Sequence, residues 1–135
     1  DPFSASSIEG SLIVDDNQGY PKDGDRSLFA AVLFDYDSTQ IRPEEIGKIE
    51  AVAKHLNHNK ASGVIVEGHA DERGSREYNL ALGEVRSLAV RDYLVSLGVD
   101  AAVIHTRSYG EETPDDLGHD ENAWSQNRRV VFAIY

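Results

Sequence analysis

The stretch Val64-Ile65-Val66-Glu67-Gly68-His69-Ala70-Asp71-Glu72-Arg73-Gly74-Ser75 constrains this chain more than any other. Val64 to Val66 is a short β-branched apolar run of the kind that forms a buried strand. It ends in a carboxylate, passes through a Gly-containing turn, and opens a long amphipathic helix. Ser75 can cap that helix and Glu77 suits its first turn. Tyr78, Ala81, Val85, Leu88 and Ala89 predict its apolar face, and Gly98 predicts its end near Leu97. A strand that ends in Asp71, followed by Arg86 on the next helix, can hold a ligand bearing both an ammonium and a carboxylate.

The flanking sequence completes a βα pattern. Ala31 to Phe34 is a strand candidate. Pro43, Glu44 and Glu45 suit the start of a helix, and Ile46, Ile49, Val52, Ala53 and Leu56 then recur at helical spacing through about Asn57. Val64 to Gly68 is the second strand. After the long helix, Asp100 can cap a short helical turn through Ile104. Thr106 to Tyr109 reads as a third strand, and an acid-rich loop containing Pro114 and Gly118 leads to a last strand, Val130 to Tyr135. The expected order is β-α-β-α-β-β, a two-layer α+β sandwich with both helices on one face of a mixed sheet. Residues 1–28 read as a tail or linker with a short edge strand at Ile8 to Val14, and residues 29–135 as one domain. There is no internal repeat and no heptad seam.

Composition excludes several functions. The chain has 135 residues, enough for one domain with a real core. Its longest apolar run, Leu28 to Phe34, is too short to span a bilayer, and no signal peptide precedes it. The first residue is Asp1, so a processed or trimmed piece is expected. There is no Cys, which removes thiolate nucleophiles, disulfides and Cys-ligated zinc. The formal net charge is -11, with Lys+Arg 13 against Asp+Glu 24. Such a field repels nucleic acid and anionic lipid, and Arg128-Arg129 is the only adjacent basic pair.

On the second helix Asn79, Leu82 and Arg86 fall at i, i+3 and i+7, one stripe that can face a groove. The Arg fork matches a carboxylate and Asp71 offers the opposite charge. The alternative is an Asp71–Arg86 salt bridge with no ligand. The loop Phe34-Asp35-Tyr36-Asp37-Ser38-Thr39 has three readings. It fits the Asp-x-Asp-x-Thr pattern of haloacid-dehalogenase-like phosphatases, with Asp35 as nucleophile and Asp37 as acid/base. No Lys follows Lys60, however, and the later acidic motif is missing. A calcium loop from Asp35 would need Gly at Gln40 and Glu at Ile46. The third reading is an Asx-type turn that also forms the lip of a ligand groove. The histidines, at 55, 58, 69, 105 and 119, form no zinc motif. His69 either orients Asp71 by a hydrogen bond or is a satisfied strand residue. Trp124 reads as a hydrophobic lid, with Arg128 and Arg129 beside it.

Four blocks in order resemble the OmpA-like C-terminal domain, and within it the branch of peptidoglycan-associated lipoproteins. They are Phe34-Asp35-Tyr36-Asp37, then Glu67 to Gly74, then Tyr78 to Arg86, and finally Ser108 to Glu112 with Gly118 to Glu121 and Asn127-Arg128-Arg129-Val130. The resemblance covers about residues 29–135. It implies a non-catalytic module, without cofactor or metal, that binds peptidoglycan through the diaminopimelate residue of the stem peptide and tethers the outer membrane or its complexes to the wall. By residue, Asp71 would take the ammonium and Arg86 a carboxylate. Asn79 and Leu82 would line the groove, Phe34, Asp35 and Tyr36 would supply backbone donors, and Arg128 would support the site. It further implies a periplasmic, outer-membrane-associated place and Tol-type partners, TolB among them. A protein-interaction module of a Tol or stator complex is the other reading it leaves open. Relatives of this branch carry a lipidated Cys. None occurs in these 135 residues, so the anchor has been removed or this member lacks it. Ala70, where many relatives have Thr, and Val85 and Ser87 depart from the common pattern at positions that concern packing.

Overall fold

The computed structural model describes residues 23–135. Four strands form one mixed sheet in the order β1-β4-β2-β3: β1 (Val32–Leu33), β2 (Val64–His69), β3 (Ile104–Gly110) and β4 (Arg129–Ile134). β2 pairs with β3 in parallel, while β4 lies antiparallel to both β2 and β1. The helices are α1 (Ile46–His58), α2 (Arg76–Ser96) and α3 (Glu121–Asn127). The two-layer α+β arrangement expected from the sequence is therefore the one observed. The expected edge strand at Ile8–Val14 lies outside the described residues.

Local chemistry sets the ends of these elements. Pro43 opens a short 3-10 turn, Pro43–Glu45, that leads into α1. Gly74 has φ 99, a left-handed conformation that turns the chain from β2 toward α2. The Ser75 hydroxyl then accepts the Tyr78 N–H at 3.1 Å, as expected of the cap. At the other end Val99 N–H donates to Leu94 O and Gly98 N–H to Val95 O, the paired bonds of a Schellman stop.

Two expectations need correction. The acid-rich segment before β4 contains a third helix, α3, which Asp120 caps by accepting the Ala123 N–H at 2.9 Å. The apolar face assigned to α2 is also displaced. Tyr78 is 42% exposed, and Val85, Leu88 and Ala89 are only half-buried. The buried stripe instead contains Asn79, Leu82, Gly83, Arg86, Ser87, Val90 and Leu94. The physical reason is close approach: α2 meets β2 at Gly83 and Gly68, and the polar residues beside Gly83 go under with it.

Strand alternation divides the sheet. Val64 and Val66 face the helices and share a core with Ile49, Val52, Val90, Leu94 and Phe132. Ile65, Glu67 and His69 point to the other face. Glu67 is 1% exposed, and its carboxylate is forked by Arg26, Nε at 2.7 Å and Nη2 at 2.8 Å. Asp25 exchanges two backbone hydrogen bonds with Ile134. Part of the segment expected as a tail is thus fastened across the back of the sheet.

His69 is buried beside this ion pair, stacked on Tyr109 and 3.2 Å from Thr113 Oγ1. It is a satisfied strand residue, and its ring does not orient Asp71. Burial, helped by the positive charges of Arg129 and Arg26, pushes its pKa down to about 3. An unfolded His titrates at about 6.5. Below that pH the unfolded chain takes up a proton that the folded one refuses, so stability falls as pH drops from 6.5 toward 3. Between pH 7 and pH 5 the loss due to His69 is expected to be about 2 kcal/mol. Urea unfolding at the two pH values checks it: His69→Gln should flatten the slope, and an unchanged slope would refute the assignment.

Candidate functional site

A cleft of about 140 Å3 opens where the C-terminal end of β2, the loop after β1 and the first turns of α2 meet. Its lining includes Tyr36, Asp37, Asp71, Arg73, Tyr78, Asn79, Leu82 and Arg86. Pockets for drug-sized ligands run to roughly 300–1,000 Å3, so this one admits the end of a side chain. Its charged lining comprises two carboxylates, Asp37 and Asp71, and two guanidiniums, Arg73 and Arg86, a match for a zwitterion.

Of the residues singled out in the sequence, Tyr36, Asp71, Asn79, Leu82 and Arg86 meet in this cleft. Phe34 lies in the core beneath it, 1% exposed. Asp35 stands outside, with its carboxylate 3.2 Å from Arg42 Nη1. Arg128 is buried behind the cleft, where its Nε donates to Phe34 O at 2.8 Å and its Nη2 to Glu121 Oε1 at 2.8 Å. The Phe34 N–H is spent on Arg128 O. Arg128 therefore binds the first loop to the start of β4.

Asp71 is 4% exposed and fully ligated. Its Oδ1 accepts the backbone N–H of Arg73 at 2.9 Å and the Arg73 Nε at 3.2 Å. Its Oδ2 accepts Arg73 Nη2 at 2.8 Å and Arg128 Nη1 at 3.4 Å. Burial acts to raise its pKa, but the hydrogen bonds from Arg73 and Arg128 outweigh it and hold the carboxyl below its usual range. Asp71 is an anion at neutral pH.

Arg86 is fully buried. Its Nε donates to Ser38 O at 2.9 Å, Nη1 to His69 O at 2.9 Å and Nη2 to Asp35 O at 3.1 Å. Burial, and then the like charge of Arg128, lower its pKa to about 10, against the attraction of Asp71 and Asp37. It stays charged at pH 7. The salt bridge between Asp71 and Arg86, the alternative to a ligand, is not formed: Asp71 takes its cations from Arg73 and Arg128, and Arg86 turns to carbonyls.

Two polar side chains of the cleft, Arg73 and Tyr78, are not legible in the sequence as members of the site. Arg73 lies between two aromatic rings, its guanidinium 3.9 Å from the Tyr36 centroid and 4.1 Å from that of Trp124. The signal was the Asp-x-Arg spacing, which lets the Arg backbone and side chain both return to the carboxylate. Tyr78, expected on the apolar face of the helix, lines the cleft, and its hydroxyl donates to Asp37 Oδ1. Asp37 itself has φ 53, a conformation Asp tolerates better than most residues. Trp124 lies outside the lining and backs Arg73; its Nε1 donates to Glu72 Oε2 at 3.0 Å, and Glu72 also holds His119.

The phosphatase reading fails here. Asp35 is paired with Arg42 and Asp37 with Tyr78, so the two carboxylates serve different partners. Among the described residues no group of His, Asp or Glu could hold a metal ion, and no helix is long and apolar enough to cross a membrane.

Comparison with known proteins agrees with this architecture. The model of the OmpA family matches residues 33–128. The peptidoglycan-associated lipoprotein of Pseudomonas aeruginosa is 48% identical over 130 residues, covering 87% of this chain and 76% of that protein. The protein of the same name from Haemophilus influenzae is 47% identical over 115 residues, 85% of this chain and 75% of the relative. Among solved structures, the peptidoglycan-associated lipoprotein of Burkholderia pseudomallei superposes with a TM-score of 0.76 at 40% identity, over 78% of this chain and 89% of that one. The C-terminal domain of Helicobacter pylori MotB has a TM-score of 0.73 over 78% of this chain and 84% of that one, but at 22% identity it shows the fold alone. The names of the first three denote association with peptidoglycan, and none of the four names denotes an enzyme. The chain belongs to the OmpA family, among relatives named peptidoglycan-associated lipoprotein.

Proposed function

We propose that this domain binds peptidoglycan non-covalently through the diaminopimelate residue of the stem peptide and so tethers the outer membrane, or complexes in it, to the wall. The observation that carries the proposal is the small cleft with a buried, ionised Asp71 beside Arg86 and Arg73. Diaminopimelate ends in a carbon bearing both an ammonium and a carboxylate. In this reading Asp71 takes the ammonium and the guanidiniums face the carboxylate. Asn79 and Leu82 form the wall on α2, and Arg128 keeps the first loop in place. Since the Phe34 amide is committed to Arg128 O, the donors of that loop are those after it, at Asp35 and Tyr36. The domain's place is the periplasm, beside the outer membrane.

Calorimetric titration with a soluble diaminopimelate muropeptide tests this. Asp71→Ala is expected to weaken binding by at least about a hundredfold, as loss of a buried charged hydrogen-bond partner does. Because the net charge of -11 repels an anionic polymer at long range, affinity must come from short contacts, and added salt should weaken binding little. No binding by the folded parent domain would refute the proposal. Tight binding to a Tol-type partner such as TolB, with no response to muropeptide, would support the protein-interaction alternative.

A further inference from the structure

Asp71 already holds a cation in this structure. A carboxylate offers about four lone-pair sites, and two bonds reach each oxygen of Asp71. An incoming ammonium must exchange with one of these partners. Arg128 is a poor candidate for departure, since its side chain is 7% exposed and is anchored on Phe34 O and Glu121. Arg73 is 29% exposed and lies at the mouth of the cleft.

We propose that Arg73 is the residue by which the cleft distinguishes a diaminopimelate end from a lysine end: it occupies the ammonium subsite on Asp71 and yields it to a ligand that brings a carboxylate in return. The inference rests on the wall-binding reading above. Three observations carry it. The guanidinium lies between the rings of Tyr36 and Trp124, so it can leave Asp71 without going out into water. Glu121, 3.8 Å from Arg73 Nη2, keeps negative charge on that side. The other guanidinium of the cleft, Arg86, is fully buried with three of its N–H groups on carbonyls, which leaves Arg73 as the accessible fork.

The discrimination follows from what each ligand returns. Lysine and diaminopimelate side chains both end in an ammonium, but only diaminopimelate carries a carboxylate on the same carbon. When the ammonium of lysine takes Asp71, Arg73 loses a bidentate charged partner and gains none. When diaminopimelate enters, Arg73 exchanges one carboxylate for another, and the planar fork suits both. The resident arginine is thus a penalty levied on the wrong ligand rather than an extra contact for the right one.

The test compares the tripeptides L-Ala–γ-D-Glu–meso-diaminopimelate and L-Ala–γ-D-Glu–L-Lys by calorimetry on the parent chain and on Arg73→Gln, with a thermal melt to establish folding. The parent is expected to prefer diaminopimelate. In Arg73→Gln the lysine peptide should bind about tenfold tighter than it does to the parent, and the preference should shrink to match, since the charged bond it had to break is gone. An unchanged preference, or weaker binding of the lysine peptide to the variant, overturns the inference and leaves the wall-binding reading intact. Binding of neither peptide by either form removes that reading and this inference together. Should Arg73→Gln fail to fold, Arg73→Lys takes its place. It keeps a cation on Asp71 without the fork, so its preference should fall below that of the parent, and full parental preference overturns the inference.

Discussion

Arg86→Met is expected to destabilise the domain by about 3 kcal/mol or more, lowering its melting temperature by ten degrees or more by the usual scaling for a domain of this size, about 3–6 °C per kcal/mol. The guanidinium is fully buried and bridges three backbone carbonyls, those of Asp35, Ser38 and His69. They come from the loop after β1 and from the end of β2. Met fills much of the volume but donates nothing, so the Ser38 and His69 carbonyls lose this donor, and a buried group left unpaired costs about 1–3 kcal/mol, while Asp35 O keeps the Ser38 N–H at 3.2 Å. Arg86→Lys should not restore stability, because a single ammonium cannot reproduce the geometry of a planar fork. A urea titration of the three proteins checks this, and a Met variant as stable as the parent would refute it. The result bears on function too. Weaker ligand binding by an Arg86 variant mixes a lost contact with a loosened loop, whereas Asp71→Ala leaves the Arg86 bridge in place.

The sequence located the cleft more securely than it described it. Asp71 at the end of a β-branched run and the i, i+3, i+7 spacing of Asn79, Leu82 and Arg86 are local patterns, and local patterns survive folding: these residues do share one cleft. The burial of Arg86 was not legible, because it depends on carbonyls 48 and 51 positions away that come together only in the tertiary structure. On sequence grounds an Arg is a solvated cation, and the spacing of Tyr78, Ala81, Val85, Leu88 and Ala89 predicts a different core face for the helix. Helix α3 was missed for a reason of length. Its seven residues span about two turns, too few for an apolar period to show, although Asp120 and Glu121 carried the start signal. Arg73 was overlooked because its partners Tyr36 and Trp124 lie far from it in sequence, on separate loops and elements.

Gly68→Ala is expected to prevent the domain from reaching its native packing, at a cost above about 4 kcal/mol. A methyl group at Gly68 would overlap the carbonyl of Gly83 on α2. The obstacle is backbone, so no rotamer change relieves it. Nor is the reverse side free: a Cβ at Gly83 would run into Ser108 Oγ and lie 2.9 Å from Gly68 O. Helix and strand therefore touch backbone to backbone at this point, and α2 can accommodate a methyl only by lifting off the sheet. Arg86 is less than one turn further along α2, and its reach to three carbonyls is fixed by hydrogen-bond length, so lifting the helix also opens the cleft. Gly47→Ala is the matched control. Gly47 is inside α1 and a Cβ there meets nothing within 4 Å, so the change should stabilise by about 0.5–1 kcal/mol through helix propensity. Urea midpoints for the two variants should then move in opposite directions. If Gly68→Ala unfolds at the parental midpoint, the approach of α2 to β2 is looser than this packing requires, and the Arg86 bridge would need another element to hold it in register.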